Sequence, residues 1–156
     1  MSLADQQTNV RIALAADHAG FSLKEHLRRV LEKEGHVISD CGAHHDERSD
    51  YPDFALQAAR AVGSGKADRA ILMCGSGIGM CMAANKIRGV RAAVLRSEED
   101  AKLSREHNDA NVACLGSRMT SPELAQKLAD LFLTTAFAGG RHSARVAKIE
   151  PETEDA

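Results

Sequence analysis

"RAILMCGSGIGMCMAANKI", Arg69 to Ile87, decides the fold class of this chain. "RAILMC" (69–74) is a short apolar run of strand type that stops at a thiol. Gly75, Gly77 and Gly79 then alternate with Ser76 and Ile78, and "IGMCMAANKI" (78–87) follows as a short apolar helix. A buried strand that turns through glycines directly into a helix is the opening of a parallel β–α–β crossover.

The same alternation extends in both directions. Upstream, "VRIALAA" (10–16) and "HVISD" (36–40) are strand candidates. Between them Leu23, Leu27, Val30 and Leu31 share one helical face, and Gly35 is a stop. After the polar loop "CGAHHDERSD", the stretch from Tyr51 to Gly65 reads as a helix with Pro52 in its first turn. Downstream come strand 90–95, helix 97–108, strand 111–116 and an amphipathic helix over 121–137 opened by Ser121 and Pro122. A basic segment, "GGRHSARVAKI", closes the pattern. Five strands alternating with helices predict a single-domain α/β protein, a three-layer sandwich whose parallel sheet is covered on both faces. There is no internal repeat, low-complexity stretch or linker. We divide the chain into a flexible N-terminus (1–9), one domain (10–149) and an acidic disordered tail (150–156).

Bulk properties narrow the partners. At 156 residues the chain suits one domain with a sizeable core. Twenty basic against 22 acidic residues give no support for a nucleic-acid or membrane partner, so an anionic ligand must be held by local charge. Cys41, Cys74, Cys81 and Cys114 form no C-x-x-C and no zinc-type spacing with histidine, which suits reduced thiols in the cytoplasm. No apolar stretch approaches the ~20 residues of a membrane span, and no signal peptide is visible.

Ligands of such sheets lie outside the carboxyl ends of the strands, where successive crossovers pass to opposite faces. In a flavodoxin-like order that point falls between strands 1 and 3. "DHAG" (17–20) follows strand 1 and "CGSGIG" (74–79) follows strand 3, so the two most chemically loaded turns would meet. The glycine loop breaks the dinucleotide fingerprint at Met80, and Met80 also stands where a C-x5-R phosphatase loop needs arginine. An anion cradle of backbone N–H groups and a plain tight turn both fit what is left. Cys74, at its mouth, could serve as nucleophile, redox group or general base.

Three further sets are candidates. "SREHNDANV" (104–112) ends a helix with His107 and Asn108, and a histidine there is either a surface cap or an acid–base group. Arg118, Arg141, His142 and Arg145 form a basic set; Arg141 and Arg145, one helical turn apart, suit a phosphate or a solvated face. Tyr51, the only tyrosine, either lines a site or starts a helix, while His44, His45, Asp46, Glu47 and Arg48 show no metal-binding geometry.

Taken together, "DHAG", "SDYPDFA" (49–55), "CGSGIGMCMAANK" (74–86), "LSREHNDANVACLGSR" (103–118) and "GGRHSARV" (139–146) strongly resemble the sugar-phosphate isomerase family of ribose-5-phosphate isomerase B and the galactose-6-phosphate isomerase subunits. The resemblance covers about residues 10 to 148. It implies a Rossmann-like fold with a five-stranded sheet, and interconversion of ribose 5-phosphate and ribulose 5-phosphate without metal or organic cofactor. It also implies a homodimer or tetramer with active sites shared between subunits. By the same resemblance Cys74 is the base that moves a proton between C1 and C2, and His107 opens the ring. Asp17 and His18 handle the sugar hydroxyls. Gly75, Ser76, Gly77, Ile78 and Gly79 surround the enediolate oxygen, Asn108 and Tyr51 contact substrate, and Arg118, Arg141 and Arg145 hold the phosphate. Ser76 replaces a threonine common among relatives and keeps the hydroxyl. The loop lacks the glutamate that some members use as base, hence the cysteine assignment. Alternatives are the same chemistry on a tetrose 4-phosphate or on a hexose 6-phosphate such as allose or galactose 6-phosphate, and a non-catalytic nucleotide or sugar-phosphate binding module.

Overall fold

The computed structural model describes residues 9–150; the expectations for residues 1–8 and 151–156 lie outside it. The elements run β1 (Arg11–Ala16), α1 (Phe21–Lys33), β2 (Val37–Asp40), α2 (Tyr51–Gly63), β3 (Arg69–Cys74), α3 (Ile78–Ala84), β4 (Ala92–Val94), α4 (Glu98–Glu106), β5 (Val112–Gly116), α5 (Pro122–Thr134) and α6 (Arg141–Ala147). The five strands form one sheet, all parallel, in the order β2-β1-β3-β5-β4.

Strand composition explains the order. The continuous apolar runs of β1, β3 and β5 are buried on both faces and take the interior. The partly exposed β2 and β4 take the edges. On β4 one side chain satisfies the outward backbone of Ala92: its N–H donates to Asn85 Oδ1 at 2.8 Å, and Asn85 Nδ2 donates back to its carbonyl at 3.0 Å. The β2-β1-β3 half of the flavodoxin-like order holds, but the other half is exchanged, because β5 and not β4 lies beside β3.

Alternate residues of each inner strand serve two cores. On one face Leu23, Leu27 and Leu31 of α1, with Leu128 and Phe132 of α5, cover Ile12, Leu14, Ile71, Met73 and Leu115. On the other, Ala55, Ala58 and Ala59 of α2, with Met80 and Ala84 of α3, cover Ala13, Ala15, Ala70, Leu72 and Cys114. The alanine face of α2 lets that helix sit close to the sheet. Because α1 and α2 cover opposite faces, the crossovers diverge between β1 and β3.

Element ends follow local chemistry. Ser97 and Ser121 cap α4 and α5, their hydroxyls accepting from Asp100 N–H (3.1 Å) and Leu124 N–H (3.1 Å). Gly35, at φ +93°, turns the chain out of α1. The helix after the glycine loop ends at Ala84, short of the expected Ile87, and α5 ends at Thr134, not 137. The basic segment that closes the pattern forms α6. Glu150, counted with the acidic tail, accepts from Gly89 N–H at 3.2 Å and pairs with Arg91. Among the described residues no helix is long and apolar enough to cross a membrane.

Candidate active site

Parallel pairing aligns the chemistry at the carboxyl ends of β1 and β3. Ala16 is in register with Met73, and Asp17 N–H continues the pairing to the Met73 carbonyl at 3.3 Å. Asp17 and Cys74 are thus next in line on neighbouring strands, with the Cys74 side chain toward the α2/α3 layer. Each strand exit is held. The Gly42 carbonyl accepts from Ala16 N–H at 2.7 Å, and Ala43 N–H donates to the Ala16 carbonyl at 2.6 Å, so the loop after β2 prolongs the sheet alongside Asp17. One Asp17 oxygen accepts Gly20 N–H at 3.1 Å. Gly20 itself lies so close to β3 that a Cβ would meet the Met73 carbonyl oxygen at 2.3 Å.

The glycine loop curls back over Cys74. Cys74 is 5% exposed and its sulfur accepts Gly77 N–H at 3.1 Å, and Ser76 Oγ accepts Ile78 N–H at 3.2 Å. The amides of Gly75 and Ser76 have no hydrogen-bond partner among the described residues. Gly77 adopts φ +80°, and a Cβ there would stand 3.0 Å from the Leu115 carbonyl carbon. The position of β5 matters here. Ser117 N–H donates to the Cys74 carbonyl (2.8 Å), Arg118 N–H donates to the Gly75 carbonyl (3.1 Å), and Ser117 Oγ–H reaches the Ala19 carbonyl (2.8 Å). The turn after β5 therefore ties both loaded loops together. The Arg118 guanidinium lies beside Gly75 and at the rim of a cleft of about 430 Å³ lined by Ser22, Ser117, Thr120 and Pro122. Tyr51, first residue of α2, packs on Gly79. His18 and Ser49 exchange hydrogen bonds.

The other candidates lie elsewhere. Helix α4 leaves the carboxyl end of β4 and returns to the amino end of β5, which carries His107 and Asn108 to the opposite end of the sheet. There the His107 ring stacks on His142, centroids 4.4 Å apart and planes 14° from parallel. Helix α6 is tethered alongside by Ala138 N–H to the Glu106 carbonyl (3.0 Å), so Arg141 and Arg145 belong to this end too. Desolvation, then the nearby His107, Arg141 and Arg145, lower the His142 pKa. Asn108 lines a separate cleft of about 400 Å³ with Asn85, Arg88, Arg91 and Glu150. A strand the length of β3 spans about 17 Å. One copy therefore brings together Asp17, His18, Tyr51, Cys74, Gly75–Gly79 and Arg118, and does not bring His107, Asn108, Arg141 or Arg145 to them.

Sequence reading overlooked Ser49 and Ser117, which act through backbone partners 31 and 98 positions away. Ser49 stood inside a quoted motif, and Ser117 beside Arg118. Cys81 is half-buried; hydrogen bonding from Cys114 is the main cause that lowers its thiol to about 7, while burial pushes Cys114 well up.

A family model described as Ribose/Galactose Isomerase matches residues 12–149. Ribose-5-phosphate isomerase B of Escherichia coli K12 is 45% identical over 139 residues, which is 89% of this chain and 93% of that protein. The solved ribose-5-phosphate isomerase B of Clostridium thermocellum superposes with a TM-score of 0.87 at 47% identity, covering 88% of this chain and 93% of the other. That of Mycoplasma genitalium, solved with bound ribulose-5-phosphate, gives 0.85 at 44% identity, covering 88% and 92%. With five parallel strands in the same fold and matches across nearly the whole domain, the chain belongs to the Ribose/Galactose Isomerase family and stands in it with the ribose-5-phosphate isomerases B.

Proposed function

We propose that this protein is an aldose–ketose isomerase that interconverts ribose 5-phosphate and ribulose 5-phosphate through a cis-enediolate, with Cys74 as the base. The observation that carries the reading is the pairing of the Cys74 sulfur, beside Asp17, with the unbonded amides of Gly75 and Ser76. Isomerisation needs a proton moved from C2 to C1 and one moved from the C2 oxygen to the C1 oxygen. One group on one face of the sugar can do the first, and the oxygens carry negative charge only in passing. Backbone donors held in place for that charge lower the barrier selectively, each by about 3 kcal/mol. Ser76, through its hydroxyl, and Gly77, Ile78 and Gly79 complete the wall around the reacting carbons.

The permanent charge of the phosphate suits arginines that position the sugar without reacting. Arg118 supplies one from the same end of the sheet. His107, as ring-opening acid–base group, and Asn108, Arg141 and Arg145 come from a second copy, whose amino end faces the carboxyl end of the first. This is a homodimer with two shared sites, since a twofold axis makes both contacts equivalent. Asp17 and His18 hold the sugar hydroxyls during ring opening, and Tyr51 walls the site. The bound ribulose-5-phosphate of the Mycoplasma genitalium relative favours the pentose over a tetrose or hexose phosphate.

The test is Cys74→Ala assayed with ribose 5-phosphate. Turnover should be abolished while binding of the sugar phosphate survives; retained turnover removes Cys74 from the base role. A coupled assay across four-, five- and six-carbon aldose phosphates fixes the substrate. Saturable binding without proton exchange at C1 and C2 in deuterated water would indicate a binding module instead.

A further inference from the structure

Ser49 has no task in the proposed reaction, yet it makes a reciprocal contact with the site. His18 N–H donates to Ser49 Oγ at 3.2 Å, and Ser49 N–H donates to His18 Nδ1 at 3.2 Å. We infer that Ser49 sets the tautomer of His18, which makes that residue a fixed hydrogen-bond donor at Nε2 toward an oxygen of the substrate.

The chemistry is restrictive. A backbone N–H can only donate, so Nδ1 must present a lone pair. A neutral imidazole with a lone pair at Nδ1 carries its proton at Nε2. Imidazolium would place a second hydrogen at Nδ1, turning two donors against each other and leaving the Ser49 amide unpaired. In this tautomer the free ring nitrogen of His18 is a donor and not an acceptor. Its Nε2 has no hydrogen-bond partner among the described residues, and the ring is half-buried at the carboxyl end of the sheet. The neighbouring acid cannot take that proton's place as donor: Asp17 is an acceptor and already receives Gly20 N–H. The two residues divide the work on the sugar oxygens, Asp17 accepting and His18 donating. The serine hydroxyl matters because it fastens the loop before α2 onto the "DHAG" turn, which aims the Ser49 amide at Nδ1. Ser49 is thus a positioning residue.

This inference rests on the reading that His18 touches substrate, and two readouts separate the two. The first is a long-range ¹H–¹⁵N spectrum of the full, uniformly labelled protein at mildly alkaline pH, with the His18 ring signals identified by their loss in His18→Gln. The expected pattern is a neutral ring protonated at Nε2. A ring protonated at Nδ1, or an even mixture, overturns the tautomer assignment whatever the activity. The second is kinetics with ribose 5-phosphate. The amide nitrogen of glutamine reaches the place of Nε2, whereas that of asparagine reaches only that of Nδ1. His18→Gln should keep about tenfold more kcat than His18→Asn, the worth of one hydrogen bond. Equal activity of the two variants overturns the donor role and the contact with substrate, even where the spectrum is as expected. Ser49→Ala should broaden the His18 signals into a tautomer mixture, and Ser49→Thr should restore them; an unchanged spectrum in Ser49→Ala overturns the role of the hydroxyl.

Discussion

Tyr51 lies so close to Gly79 that a Cβ on the glycine would stand 2.5 Å from Tyr51 Cζ and 2.6 Å from Cε2. The first residue of α2 is thereby locked against the first turn of α3, two helices that the sequence separates by a whole strand. No side chain larger than hydrogen fits without moving the ring. Gly79→Ala should therefore displace Tyr51 from the wall of the site and lower turnover about tenfold, the scale of small misplacements near reacting atoms. The double variant Gly79→Ala/Tyr51→Ala isolates the clash. It should be no worse than Tyr51→Ala alone, and a further loss in the double variant would show that the glycine is needed for another reason.

His107 and Cys74 occupy opposite ends of one sheet, so the proposed site forms only between copies. Cys74→Ala and His107→Ala should each be inactive. In a mixed dimer one site combines both defects and the other has neither. Random reassociation of equal amounts makes half the dimers mixed, and activity should return to about a quarter of the wild type under the twofold arrangement. No recovery after unfolding and co-refolding would rule the shared site out.

Cap residues give a control away from the chemistry. Ser121 Oγ satisfies Leu124 N–H at the start of α5, the helix that contributes Leu128 and Phe132 to the core. Ser121→Ala should destabilise the protein by about 1 kcal/mol and lower Tm by about 2–4 °C, with kcat unchanged. Calorimetry beside the activity assay reads both.

Thiol chemistry should separate the cysteines by pH. Hydrogen bonding from Cys114, and then from the Val94 backbone and Asn85, lowers Cys81 to about 7 against the opposing effect of burial. Burial raises Cys41 and Cys114. A lowered thiol pKa means thiolate above it, so alkylation of Cys81 by iodoacetamide should climb as pH rises through about 7 and level off beyond, while Cys41 and Cys114 stay protonated and slow. Peptide mapping by mass spectrometry after brief labelling gives the order directly; labelling of Cys114 ahead of Cys81 would contradict it.

The lysine at position 24 shows where sequence reading stops. In the sequence it is one polar position between Leu23 and Leu27. In the fold it is fully buried, its ammonium 2.8 Å from both oxygens of Asp40 and 3.1 Å from Glu25. Asp40 in turn accepts Gly42 N–H at 3.0 Å, at the start of the loop that prolongs the sheet beside Asp17. Periodicity registers that a residue is polar, and cannot register that a distant carboxylate will go under the same surface.

Local order was written in the chain: which segments are strands and helices, where Ser121 and Pro122 start α5, that a thiol ends β3, and that glycines must follow it. Those features depend on steric limits and on hydrophobic period within a dozen residues. Tertiary structure alone decided that β5 sits between β3 and β4, that Ser117 and Ser49 brace the two loaded turns, and that His107, Arg141 and Arg145 finish at the far end from Cys74. The reason is physical. The apolar pattern of a strand states how deeply it is buried but not which neighbour it pairs with, and a helix crossing the sheet reverses the end at which its last residues emerge.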